Sequence, residues 1–130
     1  MKLHHALNAC ALPLLLAVPF FAAAQALDPA TLQELDDDRD DAQYEGISVD
    51  QLEDMDVVRD GQVIGEVEEV LGDANGEIVA LVIEYGGDAI GIGDREVIVP
   101  VEEFQVSAQD NVLETVLSDE ELDGMVAWDD

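Results

Sequence analysis

Val57-Val58-Arg59-Asp60-Gly61-Gln62-Val63-Ile64 decides the fold. Two β-branched runs flank an Asp-Gly pair, which is the strongest short-range signal for a tight hairpin. The second arm continues through Gly65-Glu66-Val67, with Val63, Gly65 and Val67 alternating against Ile64, Glu66 and Glu68. This predicts a strand with one drier face. The alternation slips at Glu69-Val70-Leu71, which predicts a bulge. After a turn at Gly72-Asp73-Ala74-Asn75-Gly76 comes Ile78-Val79-Ala80-Leu81-Val82-Ile83. That run is apolar throughout, rich in β-branched residues and too short for a typical helix. It reads as a central strand buried on both faces.

Further strands follow at Glu96–Val101, Phe104–Val106 and Val112–Leu117, with Pro100 near the end of its strand. Gly86–Gly93 separates them from the first set as a flexible loop. Two capping boxes bracket the strands. Ser48 with Gln51 predicts a turn of helix over 49–54, and Ser118 with Glu121 predicts a short C-terminal helix reaching Met125. Ile47 with Leu52, and Leu117 with Leu122, sit where hydrophobic staples belong. The expected class is all-β: a small barrel of about six short strands closed by a C-terminal helix.

Residues 28–45 read as an acidic leader. Asp28-Pro29 is suited to open a short helix, with Leu32 and Leu35 on one face. Asp36-Asp37-Asp38-Arg39-Asp40-Asp41 reads as a solvated, partly disordered spacer that buries nothing. The N-terminus has the build of a secretory signal: Lys2, an apolar stretch over Ala9–Val18, and small residues ahead of cleavage after Ala26 or Ala24. Cys10 stands at the start of that stretch, with the apolar core following it rather than ending at it, which argues against a lipoprotein box. Acids rather than basic residues follow, and Pro13 and Pro19 interrupt the run, which argues against an uncleaved anchor. The expected organisation is a signal peptide over 1–26, a flexible acidic leader over 27–46, a barrel domain with flanking helices over 47–126, and an acidic tail over 127–130. Export places the chain in the periplasm or outside the cell.

The whole chain has 4 Lys+Arg against 32 Asp+Glu, a net charge of −28 in 130 residues. Residues 27–130 keep Arg39, Arg59 and Arg95 as the only basic side chains against all 32 acids, a net −29. They contain no Lys, His or Cys. Nucleic acid is excluded as a partner, because no cations are available to displace phosphate counterions. Ser–His and Cys–His nucleophile pairs, Schiff bases, disulfides and ordinary zinc sites are excluded with their residues. Only carboxylate chemistry remains. Glu68-Glu69 and Glu102-Glu103 are adjacent acids, but neighbours on a strand point to opposite faces and cannot cooperate directly. Calcium loops fail on spacing at Asp36, where Asp41 and Ile47 stand for the required Gly and Glu, and at Asp73, where Gly76 comes too early. No catalytic, cofactor-binding or metal-ligating residue is expected, and no cofactor.

The segment 52–124 resembles a PRC-barrel domain, the module of the photosynthetic reaction-centre H subunit and of the ribosome maturation factor family. The resemblance is carried by Asp60–Val67, Gly76–Ile83, Gly91-Ile92-Gly93 leading to Val97–Pro100, and Ser118–Leu122. It implies a compact barrel of about six strands that works by contacting other proteins, with no catalytic residues to carry over. The expected function is a non-enzymatic envelope module with an unidentified protein partner. Its acids, 13 in residues 28–60, 13 in 61–117 and 6 in 118–130, are spread over the whole chain. That distribution suits a surface adapted to concentrated salt rather than an acidic tail on a neutral domain. The alternative is a divalent-cation-binding or buffering protein, with loose cation association along 34–45 and the turn acids.

Overall fold

The structure, a computed structural model, describes residues 27–86 and 94–129. The expected signal segment and most of the Gly86–Gly93 stretch lie outside them. The strands are β1 (Gln33–Glu34), β2 (Gln43–Tyr44), β3 (Ile47–Ser48), β4 (Asp56–Arg59), β5 (Gln62–Gly72), β6 (Ile78–Tyr85), β7 (Arg95–Pro100), β8 (Phe104–Ser107) and β9 (Val112–Thr115). Helix α1 (Val49–Glu53) follows β3, and α2 (Asp119–Asp123) follows β9. Strands β7-β6-β5-β4-β9-β8 form one mixed sheet, and β1 adds to β5. β2 and β3 form a separate hairpin.

The β4–β5 hairpin is as the sequence predicts. Arg59 and Gln62 face each other across Asp60 and Gly61, which have φ of 52° and 78°. Positive φ at both central residues is what a type I′ turn requires. Each of the other expected strands is also present. Both helices carry complete capping boxes, with Ser48 and Ser118 accepting from the backbone N–H of Gln51 and Glu121. All four staple residues are buried in one core cluster.

β5 is the longest strand; its pairings shift register at three places, and at two of them β5 itself holds the extra residue. Val57 faces Gly65 while Val58 faces Val63, so Ile64 is an extra residue against β4. Val67 faces Ile83 while Glu69 faces Val82, so Glu68 is an extra residue against β6. An extra residue reverses the phase of the alternation. This corrects the expected face: Val63 stands 62% exposed, while Ile64 packs against the core. It also lets Val67 and Val70 share the inner face and turns Leu71 outward.

The sheet has two apolar faces. On one, Val67, Leu81, Ile83, Val97 and Val99 join Leu52, Met55, Val57, Leu113 and Leu122 in the main core. On the other, Leu71, Ala80, Val82 and Ile98 form a smaller cluster covered by Leu27, Leu32 and Trp128. β6 contributes to both, as its unbroken apolar sequence requires.

Four expectations are corrected. First, the sheet is not closed into a barrel. Among the described residues no pairing joins β7 to β8. The free side of β7 is taken instead by the C-terminal segment, where Val97 bridges Ala127, Ile98 N–H donates to Val126 at 2.9 Å and Trp128 N–H donates to Glu96 at 3.0 Å. Secondly, 127–129 is therefore not simply a tail. Thirdly, the leader is not flexible throughout: the acids of Asp36–Asp41 are exposed as expected, but on either side of them Leu35 is 3% exposed and Ala42 is also buried. β1 pairs with the end of β5, and Leu35 N–H donates to Val70 at 2.9 Å. Asp28 caps only a single 3-10 turn over Pro29–Thr31. The chain beyond is extended, so Leu32 and Leu35 reach opposite clusters rather than one face. Fourthly, Glu102 and Glu103 lie in a 3-10 turn over Val101–Glu103, not on a strand.

Gly65 lies where β5 crosses closest to β6. A Cβ there would collide with the backbone carbonyl of Glu84 and lie 3.1 Å from Cβ of Tyr85. Backbone cannot swing aside as a side chain can. Gly65→Ala is expected to cost about 1–3 kcal/mol, the range for overpacked sites. Urea unfolding followed by circular dichroism reads this as a lowered midpoint, and an unchanged midpoint would contradict the Gly65–Tyr85 register.

Candidate functional site

The ladder that builds the sheet also aligns its acids. Asp56 faces Glu66, Glu66 faces Glu84, and Glu84 faces Glu96. Directly opposed residues project from the same face of a sheet. Four carboxylates therefore form a row across β4, β5, β6 and β7, on the face opposite the main core. Like charges directly opposed are destabilising, so this row is a cost that the fold carries. The bulged Glu68 adds a fifth acid. Carboxylate oxygens of Glu66, Glu68 and Glu84 all lie within 4.8 Å of one another. Asp94, at the entry to β7, hydrogen-bonds to Glu84 as well.

Carboxylates this close cannot all ionise freely, and one proton is retained among them. Glu84 is pushed up to about 8, first by its hydrogen bonds to Glu68 and Asp94, then by desolvation and the charges of the same two groups. A second cluster stands where the leader meets α1. Glu53 is pushed up to about 8, chiefly by burial and then by a hydrogen bond and charge from Asp37, with Glu69 and Asp50 adding repulsion. Chemically, the Glu66–Glu68–Glu84 group offers acceptor oxygens alone when ionised. It can hold a proton, or contribute some of the oxygens that a hard cation needs.

The arginines are elsewhere. Arg39 pairs with Asp41 at 2.9 Å, Arg59 with Asp119 at 2.8 Å and Arg95 with Asp123 at 2.8 Å. Arg59 also donates to the carbonyl of Leu117, and Tyr85 donates its hydroxyl to Asp123. Arg59 and Arg95 thus clamp α2 onto the sheet from both of its ends. The Tyr85 hydroxyl and the Arg95 guanidinium hold Asp123 below the usual carboxylate range.

A different surface lies at the β8 end of the sheet. Val58 faces Glu114, and Glu114 faces Gln105. This row is the floor of an open groove of about 430 Å³. The Asp60-Gly61 turn lies at one side and Glu102-Glu103 at the other, with Val116 at the rim, 90% exposed.

The adjacent pairs singled out in the sequence separate as expected in one case. Glu68 joins Glu66 and Glu84, whereas Glu69 contributes to the Glu53 cluster. The Glu66–Glu84 opposition was invisible, because it depends on the register of two strands and on a bulge. Its only sequence trace is a lone acid at the outward position of each strand. Asp73 behaves as a turn residue. Its carboxylate accepts from the N–H of Asn75 at 2.8 Å and of Glu77 at 3.0 Å.

The acid clusters fix the direction of the pH dependence. Between the ordinary glutamate value of 4.5 and about 8, the folded protein keeps protons on Glu84 and Glu53 that the unfolded chain has released. Stability is therefore expected to fall as pH rises through that window. Asp123 acts oppositely: its contribution is present above 3.8 and is lost as pH falls through its depressed value. Urea midpoints measured across the window should decline towards alkaline pH, and Glu53→Gln with Glu84→Gln should flatten the decline. A midpoint that rises with pH from 5 to 8 would contradict both clusters.

The family model of the PRC-barrel domain matches residues 45–121, more than half of the chain. It covers both capping boxes and β4 to β9. No curated protein matches the chain. The hairpin, the doubly buried β6, the turn before β8 and the Ser118 capping box that opens α2 lie within the match, and the chain belongs to the PRC-barrel domain family.

Proposed function

We propose that this protein is a non-catalytic interaction module of the cell envelope, with a surface suited to concentrated salt. The observation that carries the interaction reading is the open groove at the β8 end, with Val116 90% exposed at its rim. A valine held almost fully in water at the mouth of a groove gains by meeting a partner. The core among the described residues is mainly aliphatic, with Met55, Tyr85 and Phe104, which is in keeping with that reading. Lys, His and Cys are missing from residue 27 onward, which supports a role without chemistry. The signal-like N-terminus supports export, and the charge supports a protein partner over nucleic acid.

The salt reading rests on charge. At ~0.1 M salt the Debye length is about 10 Å and at ~1 M about 3 Å, so repulsion among uncompensated carboxylates fades with salt. The acid row across four strands is where that repulsion is most concentrated. The second reading, divalent-cation binding, is favoured by the convergence of Glu66, Glu68 and Glu84. Thermal unfolding by circular dichroism in NaCl and in CaCl₂ at matched ionic strength separates the two. Stability is expected to rise with ionic strength whichever cation is used. Stabilisation that saturates at micromolar calcium and disappears in Glu66→Gln/Glu84→Gln would replace the salt reading with the cation one.

A further inference from the structure

The groove at the β8 end also defines its occupant. Asp60, Glu102, Glu103 and Glu114 surround it, while Val58 and Val116 provide its apolar surface. None of these four carboxylates has an ion pair, among the described residues. They are not part of the carboxylate group that converges on a single point, which is Glu66, Glu68 and Glu84. Acids spread along a groove with valines between them match a chain of separated cations better than one metal ion.

The protein cannot fill the groove with a copy of itself. From residue 27 onward its only cations are Arg39, Arg59 and Arg95, and each is already tied to an aspartate of its own chain. A second copy would bring acid against acid. The groove also borders β8, the last strand of the sheet, which among the described residues pairs only with β9. An edge strand leaves backbone donors and acceptors on its outer side for an extended chain.

We infer that this groove receives an extended cationic segment of a partner protein, with Lys or Arg side chains alternating with small apolar ones. The inference rests on the interaction reading and adds the chemistry of the partner. The cations pair with Asp60, Glu102, Glu103 and Glu114, and the small apolar side chains meet Val58 and Val116. Alternation follows from the period of two of an extended chain.

The test uses the purified protein and a fluorescent peptide alternating lysine with valine, at the lowest salt where circular dichroism shows the domain folded. Saturable one-to-one binding is expected, with amide shifts at Val58, Gln105 and Val116. Glu102→Gln/Glu114→Gln and Val116→Asp should each weaken binding by about tenfold or more, as loss of a paired charge or a buried anchor does. All three positions are at the surface, so the fold is retained and is checked by circular dichroism. Glu66→Gln/Glu84→Gln, at the acid row, should leave the affinity unchanged. If oligolysine of equal charge binds as tightly, and the Glu66/Glu84 variant weakens binding as much as the groove variants, attraction to net charge alone overturns the inference. If no cationic peptide saturates, the groove assignment fails. Cross-linking in the native envelope then judges the interaction reading separately: it stands if a partner is captured through another surface and falls if none is.

Discussion

The burial of β6 on both faces is the constraint on which the rest of the structure depends. A strand with Ala80, Leu81, Val82 and Ile83 in succession cannot present a wet side. In a domain this small, one sheet with two helices of a single turn or so covers only one face. The other face must be covered by chain from outside the strand set. Leu27 and Leu32 come to it from the leader, and Trp128 comes from the end of the described chain. The extensions look expendable in sequence because they are acidic, yet each carries an apolar residue to the same cluster. That explains why β1 pairs on β5 and why the C-terminal segment pairs on β7. The latter pairing in turn occupies the edge that closure of the sheet would have needed. An open sheet is therefore a consequence of how its second face is covered.

Electrostatics then had to be fitted onto this scaffold. Three arginines serve 32 acids. Two of the three are spent on α2, whose first turn holds Asp119, Glu120 and Glu121. Acids at a helix N-terminus meet the positive end of its dipole, so that placement is favourable before any pairing. The unfavourable placements are on the sheet, where register opposes Glu66 to Glu84 and Glu84 to Glu96. Retaining a proton near Glu84, and another at Glu53, lowers the local charge without any cation. Salt lowers it by screening. Both remedies act on the same excess, which is why stability should respond in the same sense to added salt and to a fall in pH within the window between 4.5 and about 8.

Much of the architecture was legible because local signals agreed with one another. The Asp60-Gly61 turn, the apolar run at Ile78–Ile83 and both capping boxes each name a structure through short-range chemistry. What was not legible was long-range. The slip at Glu69–Leu71 signals a bulge, but the phase of β5 depends on two extra residues, Ile64 and Glu68, whose places are fixed by pairing with β4 and β6. Charge density hid the role of the leader: Asp36–Asp41 is solvated as its composition demands, while Leu35 and Ala42 on either side of it are buried. The acid row was hidden because single outward acids gain meaning only when their strands are placed side by side. The groove was hidden because Val116 looks like the continuation of a strand that in fact ends at Thr115.

The proposed salt adaptation and the proposed cationic recognition pull in opposite directions, and the distribution of side chains bears on how both can hold. Long-range attraction between a net charge of −28 and a basic partner is largely screened when the Debye length shrinks to about 3 Å at ~1 M salt. Contact pairs and apolar burial survive that screening best, because they act at the distance of touching atoms. The acid row on β4 to β7 also borders a hollow, of about 250 Å³, with the exposed Val63 beside it, but there Glu66, Glu68 and Glu84 converge on one point. The carboxylates of the β8 groove are not part of that convergence. In dilute solution every acidic surface of this protein competes for a cation, whereas in concentrated salt the surface that joins carboxylates to Val58 and Val116 retains its hold. On the proposed reading, high salt favours a surface whose binding is shared between charge and hydrophobic contact over one that acts by charge alone.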